Sequence, residues 1–496
     1  MKNHIDMTGG YETVIGLEVH VELATKTKIF CGCSTVFGGR PNSHVCPVCT
    51  GMPGALPVLN RKVLEYAVAV GLACHCEISP FSRFDRKNYF YADNPQNYQI
   101  SQLYLPICRN GWIEVQDGKT GKKIGLTQIH MEEDAGKLVH SEDSGVTLID
   151  YNRSGVPLLE IVTEPDMRNA DEVISFLEEL KEIIQYLGVS DCKLQEGSMR
   201  VDVNLSVRKA GDRSLGTRTE MKNLGSFHAI SKAIASETDR QISLLEQGRQ
   251  VVQETRRWDE GEECSYSMRS KEDAGDYRYF PDPDLPPICV EEDFLEQIRR
   301  KQPELPAARR TRLKTELGLS DYDIRILTSS KQFADFYERT VSLGAPPKKA
   351  ANWMIGDTLR MLKEEGRDLW DLPYSPEHLA KLIALLEEGK ISSATAKEIS
   401  RVMFREDADP ENYAAEQGLL IIRDSGLLRE TVQKILEENP KSIEDYRNGK
   451  ERALGFLVGQ TMKAMQGRAN PGEVKELLSE YIREHGDKDK KGTVMK

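Results

Sequence analysis

The stretch VIGLEVHVEL, residues 14–23, alternates between apolar and polar residues over almost its whole length. Successive side chains of a β-strand point to opposite faces, so the stretch predicts a strand with two carboxylates and an imidazole on one face. That face is either the solvated side of an antiparallel sheet or a site for a hard cation or phosphate. The apolar residues are Val14, Leu17, Val19, Val21 and Leu23, and the polar residues are Glu18, His20 and Glu22.

The composition describes a large protein that is not broadly basic. A chain of 496 residues exceeds one hydrophobic core and indicates roughly two to four domains. The chain has 67 Lys and Arg against 79 Asp and Glu, which gives a net charge of -12. This charge argues against nonspecific adhesion to nucleic acid but leaves room for a local basic patch. No apolar signal segment opens the chain and no run of about 18 apolar residues occurs, so we expect a cytoplasmic protein that does not enter a membrane.

The hydrophobic pattern changes along the chain from strand-like to helical. The segment MRVDVNLSVR, residues 199–208, repeats the alternation of the first stretch. The proline-rich FPDPDLPPICV, residues 280–290, closes the strand-rich region, and the acidic REDADPENYAAEQG, residues 405–418, indicates a second boundary. We predict an α+β protein with an antiparallel, β-rich domain with inserted helices at 1–295, a helical domain at 296–407, and a small helical tail domain with a disordered end at 408–496.

Two helices have clear sequence signals. Residues 170–187 show an apolar stripe at helical spacing, and Gly188 follows as a C-terminal cap. Ser375 is a candidate N-cap, Pro376 suits the first helical position, and Gly389 suits the end of that helix.

Four of the ten cysteines lie in CGCSTVFGGRPNSHVCPVC, residues 31–49. Cys31 and Cys33 form one close pair, Cys46 and Cys49 form another, and a glycine-rich loop separates them. Four thiolates complete the tetrahedral shell of Zn²⁺ and leave no position for water, so the spacing predicts a structural zinc site; the alternative is a set of reduced core cysteines. The short cluster ACHC, residues 73–76, is interpreted as packing.

Acidic residues occur where apolar ones would be expected, in QIHMEEDAGK, residues 128–137, and in PLLEIVTEPD, residues 157–166. A carboxylate in such a run usually has a partner, because burying an unpaired charge is costly. The combination suits a Mg²⁺ site, and the alternative for each residue is an ordinary salt bridge. The candidate ligands are Glu18, His20, Glu160 and one of Glu132 and Glu133.

Cationic and amide groups suited to phosphate or carboxylate recognition gather in three further stretches. No P-loop motif occurs, so a nucleotide would have to be held without one. The groups are Arg86, Lys87, Asn88 and Asn94 in FDRKNYFYADNPQNYQISQ, Lys222 and Asn223 in TEMKNLGSF, and Lys271, Arg278 and Tyr279 in RSKEDAGDYRYFPDPD.

Seven blocks, in chain order, resemble the signatures of GatB, the B subunit of bacterial tRNA-dependent amidotransferases. They are IGLEVHVEL, FDRKNYFYADNPQNYQISQ, HMEEDAGK, NRSGVPLLEIVTEPD, EGSMRVDVN, DYRYFPDPDLPP and GFLVGQTMKAMQGRANP. The resemblance implies a β-rich cradle domain that uses ATP and Mg²⁺ to phosphorylate the side-chain carboxylate of Glu-tRNA(Gln) or Asp-tRNA(Asn). Ammonia from the amidase subunit GatA then displaces the phosphate, and GatC is the small third subunit.

The resemblance also assigns residues. Glu18 and His20 match the metal motif of the family, and Glu132, Glu133 and Glu160 match positions in the same blocks, with the choice between the first two left open. The zinc site occurs in only some members, and all four cysteines are present here. We expect Arg200, Asp202, Asn204 and Glu220 to contact ATP or substrate together with Arg86, Lys87, Asn88, Lys222, Asn223, Lys271, Arg278 and Tyr279.

Two departures refine the resemblance. The archaeal relative GatE has a large inserted domain, whereas this chain becomes helical shortly after Pro287. The chain also lacks a stretch that could supply the Ser-Ser-Lys set of an amidase, so we do not expect it to release ammonia from glutamine.

The end of the chain, GKERALGFLVGQTMKAMQGRANP, residues 449–471, is locally basic. By resemblance to the YqeY-like tail of the family, Lys450, Arg452, Lys463 and Arg468 are expected to contact tRNA; the alternative is a solvated basic face. For the whole chain, the competing hypotheses are a noncatalytic tRNA-binding or assembly subunit and a stand-alone ligase that acts on free amino acids.

Overall fold

The computed structural model describes residues 10–117, 120–140, 145–270, 277–369, 371–421, 425–465 and 467–491. The chain divides into two compact units, Met1–Pro306 and Ala307–Lys496. The predicted α+β class is confirmed, because the first unit is built on a mainly antiparallel sheet with inserted helices and the second unit is helical. Among the described helices, none combines the length and apolarity that a membrane crossing requires.

The first unit is organised by a nine-stranded sheet. The described strands are β1 (Tyr11–Glu22), β2 (Glu77–Ile78), β3 (Phe81–Ser82), β4 (Asp85–Asn88), β5 (Tyr98–Ser101), β6 (Cys108–Asp117), β7 (Thr120–Glu133), β8 (Lys137–His140), β9 (Thr147–Asp150), β10 (Pro157–Thr163), β11 (Met199–Lys209), β12 (Thr219–Lys222), β13 (Glu254–Asp259), β14 (Cys264–Ser270), β15 (Phe280–Pro281) and β16 (Ile288–Cys289). The large sheet has the order β14-β13-β12-β11-β1-β10-β7-β6-β2, and only the pair β12 and β13 is parallel. Smaller sheets have the orders β15-β4-β5, β16-β3 and β8-β9.

The described helices are α1 (Arg61–Ala73), α2 (Ala170–Tyr186), α3 (Phe227–Glu246), α4 (Glu292–Lys301), α5 (Pro306–Leu317), α6 (Asp321–Leu327), α7 (Lys331–Ser342), α8 (Pro347–Asn352), α9 (Leu359–Glu364), α10 (Pro376–Glu387), α11 (Ser393–Glu406), α12 (Pro410–Glu416), α13 (Ser425–Glu438), α14 (Pro440–Arg447), α15 (Glu451–Ala464) and α16 (Pro471–Lys491), with a π-helical turn at Trp353–Thr358. The predicted helix signals are confirmed. Asn169 caps α2 and Gly188 follows it with a φ of 66°, while the side chain of Ser375 accepts from the backbone amide of His378 at the start of α10.

Strand β1 lies between β10 and β11 and separates a buried face from a polar face. Leu17, Val19 and Val21 are at most 1% exposed and belong to the main hydrophobic core, into which α1, α2 and α3 also pack. Ile15, rather than Val14, shares this face, because alternate residues of a strand point the same way. The opposite face of the strand carries Val14 near its start and then the polar side chains of Glu18, His20 and Glu22.

The second unit contains two hydrophobic cores, one with buried residues from Leu319 to Ala414 and one from Leu428 to Ile482. Helix α12 follows the composition change near residue 408 but packs into the first of these cores through Ala414. Helix α4 spans residue 295, where the sequence suggested a boundary, and buries Ile298 in the core of the first unit.

Candidate active site

The register of three strands places histidines and carboxylates in one row on the polar face. His20 of β1 faces Glu160 of β10, and Glu160 faces His130 of β7. Nε2 of His20 lies 3.3 Å from Oε2 of Glu160 and 3.4 Å from Oε1 of Glu132. Ligand atoms of His20, Glu132 and Glu160 all lie within 4.8 Å of one another, so these three side chains can hold a hard cation.

The neighbouring residues Glu132 and Glu133 point to opposite sides of β7. Glu132 lies beside the histidines, whereas Glu133 accepts hydrogen bonds from the backbone amide of Ile100, at 2.9 Å, and from the side-chain amide of Gln96. Glu133 lines a cavity of about 100 Å³ together with Cys31 and Cys49. Burial raises the pKa of Glu133 to about 8. The structure thus brings Glu132, and not Glu133, to the candidate cation site.

The charge states within the row depend on one another. Burial opposes ionisation of Glu160, yet the charges of His130 and His20 and their hydrogen bonds hold the pKa of Glu160 well below its usual range. Burial alone would lower the pKa of His20, but the hydrogen bond to Glu160 and the charge of Glu132 raise it. The pKa of His130 rises to about 10 because the charge of Glu160 and a hydrogen bond to Glu132 outweigh burial.

A second acidic group lies next to this row. Glu18 faces Asp202 across β1 and β11, and the ligand atoms of Glu18, Asp202 and Glu220 lie within 4.8 Å of one another. Burial, followed by the charge of Glu160, raises the pKa of Glu18. The side-chain amide of Asn204 donates to Oε1 of Glu18 at 3.0 Å, and Lys222 Nζ lies 3.0 Å from Oε1 of Glu220. The predicted ligands are therefore divided between two neighbouring groups.

Two cations that the sequence suggested lie near these acids. The Nζ atom of Lys87 lies 5.1 Å from the centre of the Tyr277 ring. Burial lowers the pKa of Lys87, but the charge of Glu132 outweighs burial and raises that pKa. Lys222 forms ion pairs with Asp202 and Glu220. These ammonium groups balance part of the negative charge on the polar face.

Other predicted contacts support the surrounding structure. Arg86 donates from Nε to Asp282, at 2.7 Å, and from Nη2 to Asp284, at 2.8 Å. The side-chain amide of Asn88 donates to the carbonyl of Arg278 at 2.9 Å. These bonds hold β4 against the segment that follows residue 277.

The remaining predicted residues are Arg200, Asn223, Tyr279 and Lys271, of which Arg200 faces His20 across β1 and β11. The side-chain amide of Asn223 donates to the carbonyl of Trp258 at 2.9 Å, and Nη2 of Arg200 donates to Oδ1 of Asp134 at 3.1 Å. The half-buried side chain of Tyr279 has its pKa raised to about 12 by burial. Lys271 lies outside the described residues.

The four cysteines of residues 31–49 come together. The Sγ atoms of Cys31, Cys33, Cys46 and Cys49 all lie within 4.8 Å of one another. This donor set fits tetrahedral Zn²⁺. A hydrogen bond from Cys31, with help from Lys28, holds the pKa of Cys49 below the usual range of a thiol. In the cluster at residues 73–76, Cys74 is fully buried in the main hydrophobic core.

The basic residues of the tail differ in their surroundings. Arg452 and Lys463 are exposed on α15. Lys450 forms an ion pair with Asp445 at 2.9 Å, and Nη1 of Arg468 donates to the carbonyl of Gly418 at 3.3 Å. Lys450, Arg452 and Lys463 are thus exposed, whereas Arg468 is half-buried.

Sequence reasoning assigned no role to His130, although it lies in the acidic block. Its Nε2 lies 3.1 Å from Oε2 of Glu160, and its side chain is 7% exposed. The signal that could have found it is its spacing of two residues from Glu132, which puts both side chains on one strand face.

Comparisons with known proteins identify the family of this chain. A family model described as "GatB/GatE catalytic domain" matches residues 13–296, and one described as "GatB domain" matches residues 335–482. The chain is 60% identical over 472 residues to the B subunit of the aspartyl/glutamyl-tRNA(Asn/Gln) amidotransferase of Agathobacter rectalis, covering 95% of this chain and 99% of that protein. It is 61% identical over 481 residues to the protein of the same name from Lachnospira eligens, with the same coverage. The chain therefore belongs to the GatB family.

Proposed function

We propose that this chain is the B subunit of a tRNA-dependent amidotransferase, and that its first unit activates the side-chain carboxylate of glutamate or aspartate attached to tRNA. The observation that supports this most strongly is the row formed by His20, Glu160 and His130, with Glu132 beside it. The names of the relatives specify aspartyl- and glutamyl-tRNA as the substrate class.

The reaction must first give the carboxylate a better leaving group. An ionised carboxylate reacts poorly with ammonia, whereas an acyl phosphate reacts readily. In the proposed sequence, a carboxylate oxygen attacks the γ-phosphorus of ATP and ADP leaves. Ammonia then attacks the acyl carbon, and phosphate leaves with the C–O bond electrons. Because two anions must approach each other in the first step, the site needs positive charge.

Both acidic groups have donors that fit Mg²⁺. The first is formed by His20, Glu132 and Glu160, and the second by Glu18, Asp202 and Glu220. Next to the second group, Oδ1 of Asn204 is buried and has no hydrogen-bond partner among the described residues, as expected of an oxygen that is free to face a cation. Mg²⁺ bound by these residues would neutralise charge on the phosphates and the attacking carboxylate.

The protein itself contributes orientation and charge. His130 holds Glu160 in place with Nε2, and Asn204 holds Glu18 with its side-chain amide. Lys87, which is half-buried, places its ammonium near Glu132, where it can attract a phosphate. Since these groups stand on paired strands, they are positioned before substrate arrives.

We further propose that the four cysteines hold a structural zinc ion. Ammonia comes from an amidase partner, GatA, and the small subunit GatC completes the complex.

The tail contacts the tRNA body through Arg452 and Lys463, which are exposed on one helix of an otherwise acidic chain.

The test is ADP formation by the purified complex in the presence of ATP, Mg²⁺ and glutamine. We expect ADP to form with Glu-tRNA(Gln) or Asp-tRNA(Asn) and not with uncharged tRNA. ADP formation with free glutamate alone would indicate a stand-alone ligase. An absence of ADP with either misacylated tRNA would indicate a noncatalytic tRNA-binding or assembly subunit.

A further inference from the structure

Lys28 is a fully buried lysine beside the cysteine group, and it belongs to neither acidic group of the candidate active site. Its side chain is 0% exposed. Its Nζ donates to Sγ of Cys49 at 3.4 Å and to the backbone carbonyl of Tyr151 at 3.2 Å. In the described part of the chain, Lys28 forms no ion pair with a carboxylate. Of these two hydrogen-bond partners, the sulfur of Cys49 is the one that can carry a negative charge.

The charge of the cysteine group explains why a lysine can be buried there. Burying an ammonium without a negative partner is strongly unfavourable. Four thiolates around one Zn²⁺ leave roughly two net negative charges. A buried ammonium within hydrogen-bond distance of Cys49 offsets one of them, whereas four neutral thiols would leave the charge of Lys28 unbalanced.

The second hydrogen-bond partner of Lys28, the carbonyl of Tyr151, lies in the segment between β9 and β10. Lys28 therefore connects this segment to the cysteine group. Gly155 of this segment lies next to the group, since a Cβ added there would be in van der Waals contact, at 3.5 Å, with side-chain atoms of both Cys49 and Lys28. The hydroxyl of Ser154 donates to the carbonyl of Cys49 at 3.1 Å. Lys28 thus joins the cysteine group to this segment at Tyr151, while Ser154 joins it a few residues later.

We propose that Lys28 is a positioning residue for the metal centre: its ammonium stabilises the thiolates of the zinc-bound cysteine group and holds Cys49 against the carbonyl of Tyr151. This rests on the proposed zinc site and adds a determinant of its affinity outside the ligands themselves. Partners of metal ligands commonly change metal affinity by about 10–100-fold when they are replaced.

The variants separate charge from packing. Lys28→Met keeps the length of the side chain and removes the charge, Lys28→Gln keeps a donor without the charge, and Lys28→Arg keeps the charge. Lys26→Met is the matched control, because Lys26 is exposed two residues away. Each full-length chain is purified with its partner subunits.

Two measurements are made on each variant: zinc affinity by competition with a chromophoric chelator, and the thiolate-to-metal charge-transfer band after replacement of zinc by Co²⁺. Lys28→Met should weaken zinc binding by about 10–100-fold and shift the Co²⁺ band, with a smaller loss in Lys28→Gln. Lys28→Arg should largely restore both, and Lys26→Met should match the unmodified chain.

The outcomes distinguish this inference from the zinc site itself. An unmodified chain without zinc would refute the proposed site. An unmodified chain with zinc, together with unchanged affinity and spectrum in Lys28→Met, would refute the role of Lys28. If Lys28→Met does not fold, Lys28→Gln decides in the same way: zinc affinity and a Co²⁺ band like those of the unmodified chain would overturn the proposal.

Discussion

His20 and Glu160 face each other on adjacent antiparallel strands, and the Nε2 of the histidine lies 3.3 Å from Oε2 of the glutamate. From the strand on the other side, Nε2 of His130 lies 3.1 Å from Oε2 of Glu160. A carboxylate held between two imidazoles remains ionised, which agrees with the strongly lowered pKa of Glu160. The sheet thus presents a fixed negative group on a face that a cation can approach.

The first prediction concerns His130. Replacing it with Asn removes the imidazole that holds Glu160, so the Mg²⁺ concentration needed for half-maximal ADP formation should rise by about tenfold or more. The measurement is a Mg²⁺ titration of tRNA-dependent ADP release. His140→Asn is the control, because His140 is exposed on a different sheet. An identical Mg²⁺ requirement in the two variants would contradict the role given to His130.

The second prediction concerns the cysteine group. Cys46→Ser removes one of four thiolates, so zinc content should fall well below the expected value of about one per chain and the first unit should unfold at a lower temperature. Zinc is measured by elemental mass spectrometry, with Cys76→Ser as control because Cys76 lies outside the group. Full zinc occupancy in Cys46→Ser would refute the assignment.

The third prediction is a pH dependence that arises from Glu133. Its pKa is about 8 in the folded chain against an ordinary value of 4.5, so between these values only the folded state keeps the proton. Stability therefore falls as pH rises through this window, by at most about 1.4 kcal/mol per pH unit for one proton. Glu133→Gln stays neutral, so its stability relative to the unmodified chain should increase from about pH 5 to about pH 8.

This pH effect is measured by urea unfolding at several pH values. Glu114→Gln serves as the matched control, because Glu114 is exposed on β6. If the difference in stability between Glu133→Gln and the unmodified chain does not change with pH, Glu133 is ionised in the folded chain over the whole pH range, and the prediction is wrong.

The fourth prediction concerns the tail. Reversing the two exposed positive charges of α15, in Arg452→Glu with Lys463→Glu, should raise the KM for aminoacyl-tRNA by roughly tenfold and reduce the salt dependence of binding, because phosphate contacts are lost. Glutamine hydrolysis by the complex should be unaffected. The matched control is the double variant Lys363→Glu with Lys397→Glu, because it makes the same charge change at exposed positions that precede the tail. Equal tRNA affinity in both double variants would refute the prediction.

The sequence predicted which strand faces are polar, because alternation along one strand requires no knowledge of its neighbours. It did not predict the grouping of the acids. Glu18 and His20 share a face, yet the register pairs Glu18 with Asp202 and His20 with Glu160, which separates them into two groups. Pairings between distant strands depend on the whole sheet and leave no local trace.

The interpretation of Arg86 shows the same limit of local reasoning. Its stretch suggested phosphate recognition, but its guanidinium is engaged by Asp282 and Asp284, which lie far later in the chain. A cation near other polar residues in sequence can be part of a structural ion pair in space. Only the tertiary structure distinguishes Arg86 from Lys87, its neighbour on the same strand.

We propose that the polar face of the sheet activates a carboxylate and has no part in producing ammonia. Glu18→Gln separates these two activities, because it keeps the size of the side chain and removes its charge next to Asp202 and Glu220. The assembled complex is assayed for tRNA-dependent ADP release and, separately, for glutamine hydrolysis. We expect a loss of ADP release on the order of a hundredfold or more with glutamine hydrolysis retained. Normal ADP release with glutamine hydrolysis abolished would contradict the proposed role.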